Sequence, residues 1–349
     1  MENIEFPTNR CTISDDWTYH NMPVIWMEND FVKIGILVGR GSDIFEFRYK
    51  PRNLNFMLRL DKDIYNPAQV VSQIRNTENQ LEDYYYGGWQ EVLPNSAAGL
   101  YRNAQLGQHG EIWMIPWKHA ILENTGQRVS LKCWTRPLRV PILVEKTLTL
   151  TADSTNLSID ERLTNESRTD LDIMWGHHIA FGLPFLHLGG HIRTNATHLE
   201  AEYHMPEHRV YKPGAFGQWP AVEGLEGNMI NASIVPPADA PPYADLAYLS
   251  GFKEKAFYEI YNHHADLGFS VHWNPDIFKY LWYWQERYAT QNAPWWGKAY
   301  AIALEPWTTK HPNNPEAAIA RGEYLKIKAG SFIETSLSTS IIDKKMNHD

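Results

Sequence analysis

The chain has 349 residues, with 32 Lys and Arg against 41 Asp and Glu and a formal net charge of −9. An acidic balance argues against nucleic acid as a partner, because phosphates need a basic surface. Hydrophobic residues at 43% and charged residues at 21% exclude disorder as the main state. The unusual feature is aromatic: 14 Trp, 18 Tyr and 13 Phe, which suit stacking surfaces as well as a core.

The first sixteen residues are polar and acidic and lack the apolar run of a secretion signal. No apolar stretch approaches the roughly 20 residues of a membrane helix, so the expectation is a cytoplasmic protein that does not enter a membrane. Cys11 and Cys133 stand too far apart for a disulfide framework or a metal knuckle and read as free thiols of a reducing compartment. The Asn-x-Ser/Thr triplets at Asn156, Asn165, Asn195 and Asn231 then read as chance.

Val32, Ile34, Ile36 and Val38 alternate with other residues. Gly39-Arg40-Gly41-Ser42 follows, then Phe45, Phe47 and Tyr49, the pattern of a hairpin. Pro67 to Arg75 suits a short helix with Pro near its first turn. Even spacing returns at Leu148, Leu150, Leu157, Ile159 and Leu163, and after the Asn165-Glu166-Ser167 turn at Leu171, Ile173 and Trp175. Pro213 to Pro242 is dense in proline and reads as a long ordered excursion or lid rather than a domain boundary. Pro315 to Arg321 suits a second short helix ended by Gly322. Leu325, Ile327, Ile333, Thr335, Leu337, Thr339 and Ile341 close the chain, again every second residue. Period two with few helices predicts an all-β fold, a large antiparallel β-sandwich. One domain over residues 1–349, with its core at about 31–341, accounts for the pattern.

Three segments carry residues that a core does not require. Gly87-Gly88-Trp89-Gln90-Glu91 leads to Gln108-His109-Gly110-Glu111-Ile112-Trp113. Paired glycines let backbone approach a ligand closely, and a neighbouring carboxylate can hold a His in one tautomer. In Met174-Trp175-Gly176-His177-His178-Ile179-Ala180-Phe181, a strand ending at Gly176 places two histidines at a strand terminus. Adjacent strand residues face opposite sides, so one of His177 and His178 at most enters a given cleft. A zinc pair would prefer a spacing of two and a third ligand, so no metal is expected. Finally, Glu305 is the only charge in the apolar run from Ala299 to Pro306. Such a carboxylate either caps a structural network or has its proton affinity raised for acid/base work. Pro306 lacks a donor and marks the end of pairing.

In this order the segments resemble the aldose 1-epimerase (galactose mutarotase-like) superfamily. Gln108-His109-Gly110 is similar to its His-Gly motif. His178-Ile179-Ala180-Phe181 is similar to its His-x-Tyr-Phe motif, with Ala180 in place of Tyr, and Leu304-Glu305 to its strand-terminal Glu. Gly87-Gly88 to Pro94 is similar to the Gly-Gly…Pro stretch before the first His, and the likeness runs from about Phe31 to Ile341. Sugar-phosphate epimerases of the superfamily carry Arg where this chain has Tyr86 and Trp113, which disfavours a phosphorylated substrate. Arg102 is a candidate compensating charge.

The resemblance implies a mutarotase-type supersandwich that interconverts the α and β anomers of a free sugar without a cofactor. Glu305 would be the base, His178 the acid and His109 the group that polarises or positions the sugar. Trp284, Trp113 and Trp296 are candidates for stacking on a pyranose, and Gln90 for hydroxyl contacts. The expected partner is a small sugar or oligosaccharide, and a homodimer is compatible with the sequence. Two rivals stand beside this reading. One is a carbohydrate-binding protein that does not turn its ligand over. The other is a polysaccharide lyase or hydrolase, for which Glu111 with Glu305 is the available carboxylate pair.

Overall fold

Alternation between two environments makes the strands. In Ile142–Thr151 every second residue is buried, and Leu157–Asn165 beside it repeats the pattern. A computed structural model of the chain describes residues 10–72, 77–204 and 208–345. Two large sheets of antiparallel strands dominate it, one of twelve strands and one of nine. The middle of the larger sheet runs Asp43–Tyr49, Trp89–Val92, Gly176–Phe181, Tyr300–Trp307, Tyr280–Arg287 and Tyr243–Ser250. The smaller has Gly190–Thr194, Ala256–Asn262, Leu267–Trp273, Phe332–Asp343, Leu157–Asn165, Ile142–Thr151, Arg128–Thr135 and Lys118–Asn124 in succession. This is the all-β sandwich that the period-two pattern predicts.

The two sheets share one apolar core. Phe181 and Phe47 of the larger sheet meet Phe269 of the smaller, ring centroids 5.5 and 5.0 Å apart. Tyr300–Trp307 is buried along its whole length because its other face is covered as well. That second face carries Ala180, Ala301 and Ala303 in one cluster and Val92, Tyr248, Trp282 and Trp307 in another. Both thiols are free and buried. Among the described residues no helix is long and apolar enough to cross a membrane.

The hairpin is present as Val32–Leu37 and Asp43–Tyr49. The second short helix spans Pro315–Ala320, its first turn capped by the Asn314 side chain, which accepts from Ala317 N at 3.0 Å. The Pro213–Pro242 stretch is ordered: Phe216–Gln218 pairs at the edge of the larger sheet and Ile234–Val235 at the edge of the smaller.

Three expectations are corrected. Residues 67–70 form turns, residues 73–75 of the expected first helix lie outside the described residues, and the helix forms later, over Thr77–Tyr84. Gly176 begins a strand instead of ending one, the preceding strand having stopped at Ile173. The reason is steric: a Cβ on Gly176 would lie 2.2 Å from the Trp307 ring, so only Gly lets the two strands run together here. Pairing also continues past Pro306, which stands opposite Leu281, to Trp307 opposite Tyr280.

Candidate active site

The strand register assembles the site. Trp282 stands opposite Glu305, Trp284 opposite Ala303, and Ala180 opposite Ala303 on the other side. His178 stands opposite Gln90. Because side chains alternate, Glu305, Trp282, Trp284 and His178 all leave the sheet on the face away from the shared core. A hollow of about 250 Å³ opens on that face. Its walls include Tyr85, Trp282, Trp284 and Trp295, with Gln108, His109, His178 and Glu305 also facing it. Drug-sized ligands occupy roughly 300–1,000 Å³, so this space suits one small ring.

Glu305 and His178 meet at the bottom, with His178 Nε2 3.6 Å from Glu305 Oε1. That separation is slightly beyond hydrogen-bond length. Trp307 Nε1 donates to the other carboxyl oxygen at 2.9 Å, and the Trp307 indole stacks on Trp282 at 4.4 Å. Burial pushes the Glu305 carboxyl up to about 8, the Trp307 hydrogen bond opposing it. Burial pushes the His178 imidazole down to about 4. Both shifts favour a carboxylic acid beside a neutral imidazole at neutral pH.

His109 arrives from a different segment. It adopts φ +62°, its N–H donates to Ser96 O at 2.7 Å, and Gly110 follows at φ +71°. A Cβ on Gly110 would lie 2.0 Å from Leu93 O, so this turn requires glycine. The turn brings the His109 ring to 5.5 Å from that of His178. Burial, reinforced by the neighbouring His178, holds His109 well below the ordinary histidine range. Three polar atoms here are buried without a protein partner: Nδ1 of His109, Nδ1 of His178 and the Tyr85 hydroxyl. Groups of this kind cost free energy unless a ligand or water meets them.

The structure thus brings together Glu305, His178, His109 and Trp284, and leaves the remaining candidates outside the pocket. Gln90 is fully buried and donates to Asp43 Oδ2 at 3.2 Å. Trp113 is buried, with Nε1 donating to Gly110 O at 3.2 Å. Glu111 accepts from Arg139 N at 3.0 Å, so it does not pair with Glu305 across a bond to be hydrolysed. Arg102 is exposed and donates to Thr169 Oγ1 at 3.2 Å. Trp296 is 65% exposed and lines a separate hollow. Gly87, expected to approach a ligand, approaches Leu58 instead: its Cβ would lie 2.3 Å from Leu58 O.

Sequence reasoning missed Tyr85 and gave Trp282 and Trp295 no role. Trp282 stands two residues before the candidate Trp284, a spacing that puts both on one face of a strand. No local pattern marked Tyr85. Among the described residues the lining contains no Lys or Arg, and no cluster of three or more His, Cys, Asp or Glu could hold a metal.

A family model described as a domain of unknown function, DUF4432, matches residues 20–341. The chain belongs to the DUF4432 family. Its fold is that of the galactose mutarotase-like proteins. A solved structure from Klebsiella pneumoniae, provisionally named an aldose 1-epimerase, is similar at a TM-score of 0.71 and 11% identity, over 95% of this chain and 83% of that one. A galactose mutarotase-like protein from Clostridium acetobutylicum is similar at 0.63 and 13% identity, over 96% and 99%. A galactose mutarotase related enzyme from Lactobacillus acidophilus is similar at 0.59 and 12% identity, over 91% and 97%. No curated protein matches the sequence.

Proposed function

We propose that this protein interconverts the α and β anomers of a free, unphosphorylated sugar. The observation that carries this reading is the buried Glu305–His178 pair, 3.6 Å apart at the bottom of a one-ring pocket walled by tryptophans. A pyranose has apolar C–H faces that stack on indoles and a rim of hydroxyls for the His109, His178, Gln108 and Glu305 side chains that line the pocket. The described lining residues include no Lys or Arg to bind a phosphate.

The chemistry needs two coordinated proton transfers. In ring opening the hydroxyl proton on C1 leaves to a base, the bond from C1 to the ring oxygen breaks, and an acid protonates that oxygen. Rotation of the aldehyde and closure on the opposite face reverse both transfers, so the pair regains its starting form. Burial favours the neutral form of each partner, and so the pair's proton on Glu305. From that form Glu305 protonates the ring oxygen and His178 takes the hydroxyl proton. The opposite assignment, implied by the family resemblance, requires the proton to move across the pair first. Both are one-proton forms of a coupled pair. Neutral His109 orients a hydroxyl.

Polarimetry tests the reading. Freshly dissolved α-glucose and α-galactose should relax faster with catalytic protein than in buffer, while glucose 6-phosphate relaxes at its buffer rate. Sugar binding with no acceleration of any aldose would leave a binding protein in place of an enzyme.

A further inference from the structure

The pocket shares a wall with a second hollow that has no part in the proton transfers. Trp295 lines the catalytic pocket, its ring 6.0 Å from Trp284 and 5.9 Å from Tyr85. It also lines the adjoining hollow of about 310 Å³ together with Leu60, Asp61, Lys62, Trp296 and Lys298. Trp296 there is 65% exposed at φ +52°, a left-handed conformation that bulky residues rarely adopt.

The segment that presents this indole is anchored. The N–H groups of Trp295 and Trp296 both donate to Asn292 O, at 3.1 and 2.9 Å, and Gly297 N donates to Thr290 O at 2.8 Å. The buried Glu286 carboxylate accepts from Ala289 N, Thr290 N and Thr290 Oγ1 at 2.8, 3.1 and 2.6 Å. A large aromatic surface is therefore held out to solvent by a fixed support, and such pre-organisation lowers the entropy lost on binding. The hollow's polar groups suit hydroxyls. Lys298 Nζ lies 3.3 Å from Asp61 Oδ2, and Lys62 Nζ is already engaged by the carbonyls of Glu82 and Asp83 at 2.6 and 3.2 Å. One aromatic platform flanked by a carboxylate and an ammonium matches a neutral sugar ring.

We infer that this hollow is a second sugar subsite, so that the protein takes the reducing end of a neutral oligosaccharide, the reducing ring in the catalytic pocket and the next ring beside Trp296. The inference rests on the mutarotase reading for the first ring, and the Trp295 wall common to both hollows places the second ring. The free anomeric carbon stays beside Glu305 and His178 while the glycosidic substituent leaves past Trp295.

Saturation-transfer NMR and calorimetry with glucose, cellobiose, maltose and lactose test it on the whole protein. At least one disaccharide is expected to bind about ten-fold more tightly than glucose, and both of its rings to receive saturation. Trp296→Ala is expected to remove that gain of about ten-fold, the factor that 1.4 kcal/mol supplies, while glucose affinity stays unchanged. Trp296→Phe should retain most of it. Trp296 is exposed, so neither variant threatens the core. Disaccharides that bind no better than glucose, or a gain that survives Trp296→Ala, would overturn the subsite. Accelerated glucose mutarotation alongside that failure would leave the first reading standing. A disaccharide gain lost in Trp296→Ala without any mutarotation would keep the subsite and remove the enzyme.

Discussion

His177 and His178 are neighbours in sequence and occupy opposite faces of one strand. His177 Nε2 meets Glu161 Oε2 at 3.1 Å inside the sandwich, with Trp89 Nε1 donating to its Nδ1 at 3.1 Å. His178 meets Glu305 at 3.6 Å in the pocket. Each pair is buried, and in each burial pushes the Glu up to about 8 and the His down to about 4. Only the pair facing the pocket can exchange protons with a ligand.

The two histidines therefore separate stability from activity. His177→Ala opens a core cavity and strips Glu161 of its partner, with an expected loss of about 2–4 kcal/mol in denaturant unfolding. The KM of its folded fraction should match the wild type. His178→Ala should lower kcat by about 10²–10⁴, the range for general acid–base groups, with a smaller change in unfolding.

The pH dependence follows from the pair. It carries one proton from about pH 4, where His178 titrates, to about pH 8, where Glu305 does. The kcat/KM for mutarotation should be bell-shaped, with limbs near those values. A profile flat across this range would show that the pair does not carry the reaction.

Stability carries the same signature. Unfolded Glu titrates near 4.5 and folded Glu305 near 8. Between them the folded chain binds more protons than the unfolded one, so this residue's contribution falls as pH rises through the window. Glu305→Gln removes that dependence. Its melting temperature should gain on the wild type steadily from pH 5 to pH 8 in paired thermal scans.

Trp307 orients the carboxyl. Trp307→Phe keeps a ring on Trp282 and removes the donor that lowers the Glu305 pKa, so the alkaline limb of the rate profile should move upward with KM unchanged. Gly176→Ala drives a methyl into the same indole and should destabilise the fold by about 1–3 kcal/mol, read by denaturant unfolding.

Much of this was legible in the chain, and the rest was not, for physical reasons. Alternation read off Leu148 to Leu163 and Ile333 to Ile341 yielded real strands, because one face of each packs on the core. It also predicted that His177 and His178 would part, and register did the rest at Glu305. Trp113 and Gln90 misled because they stand in the segments that form the pocket yet are turned into packing. A local motif does not encode which way a loop side chain turns. Of the tryptophans, Trp282, Trp284 and Trp295 line the pocket. Trp89 and Trp175 instead donate to the buried His177 and Glu91. Tyr85 was invisible because a residue just beyond the Thr77–Tyr84 helix reaches His178 only through the tertiary fold.

In the proposed reaction Glu305 and His178 move protons on a bound sugar, and exchange NMR of an unphosphorylated aldose at equilibrium, with the wild type and with Glu305→Gln, reads that transfer. Exchange between α and β anomers should run well above the buffer rate with the wild type and fall by about 10²–10⁴ in the variant, the sugar still bound. Exchange at the buffer rate with both proteins, or equal acceleration by both, would contradict that role for the pair.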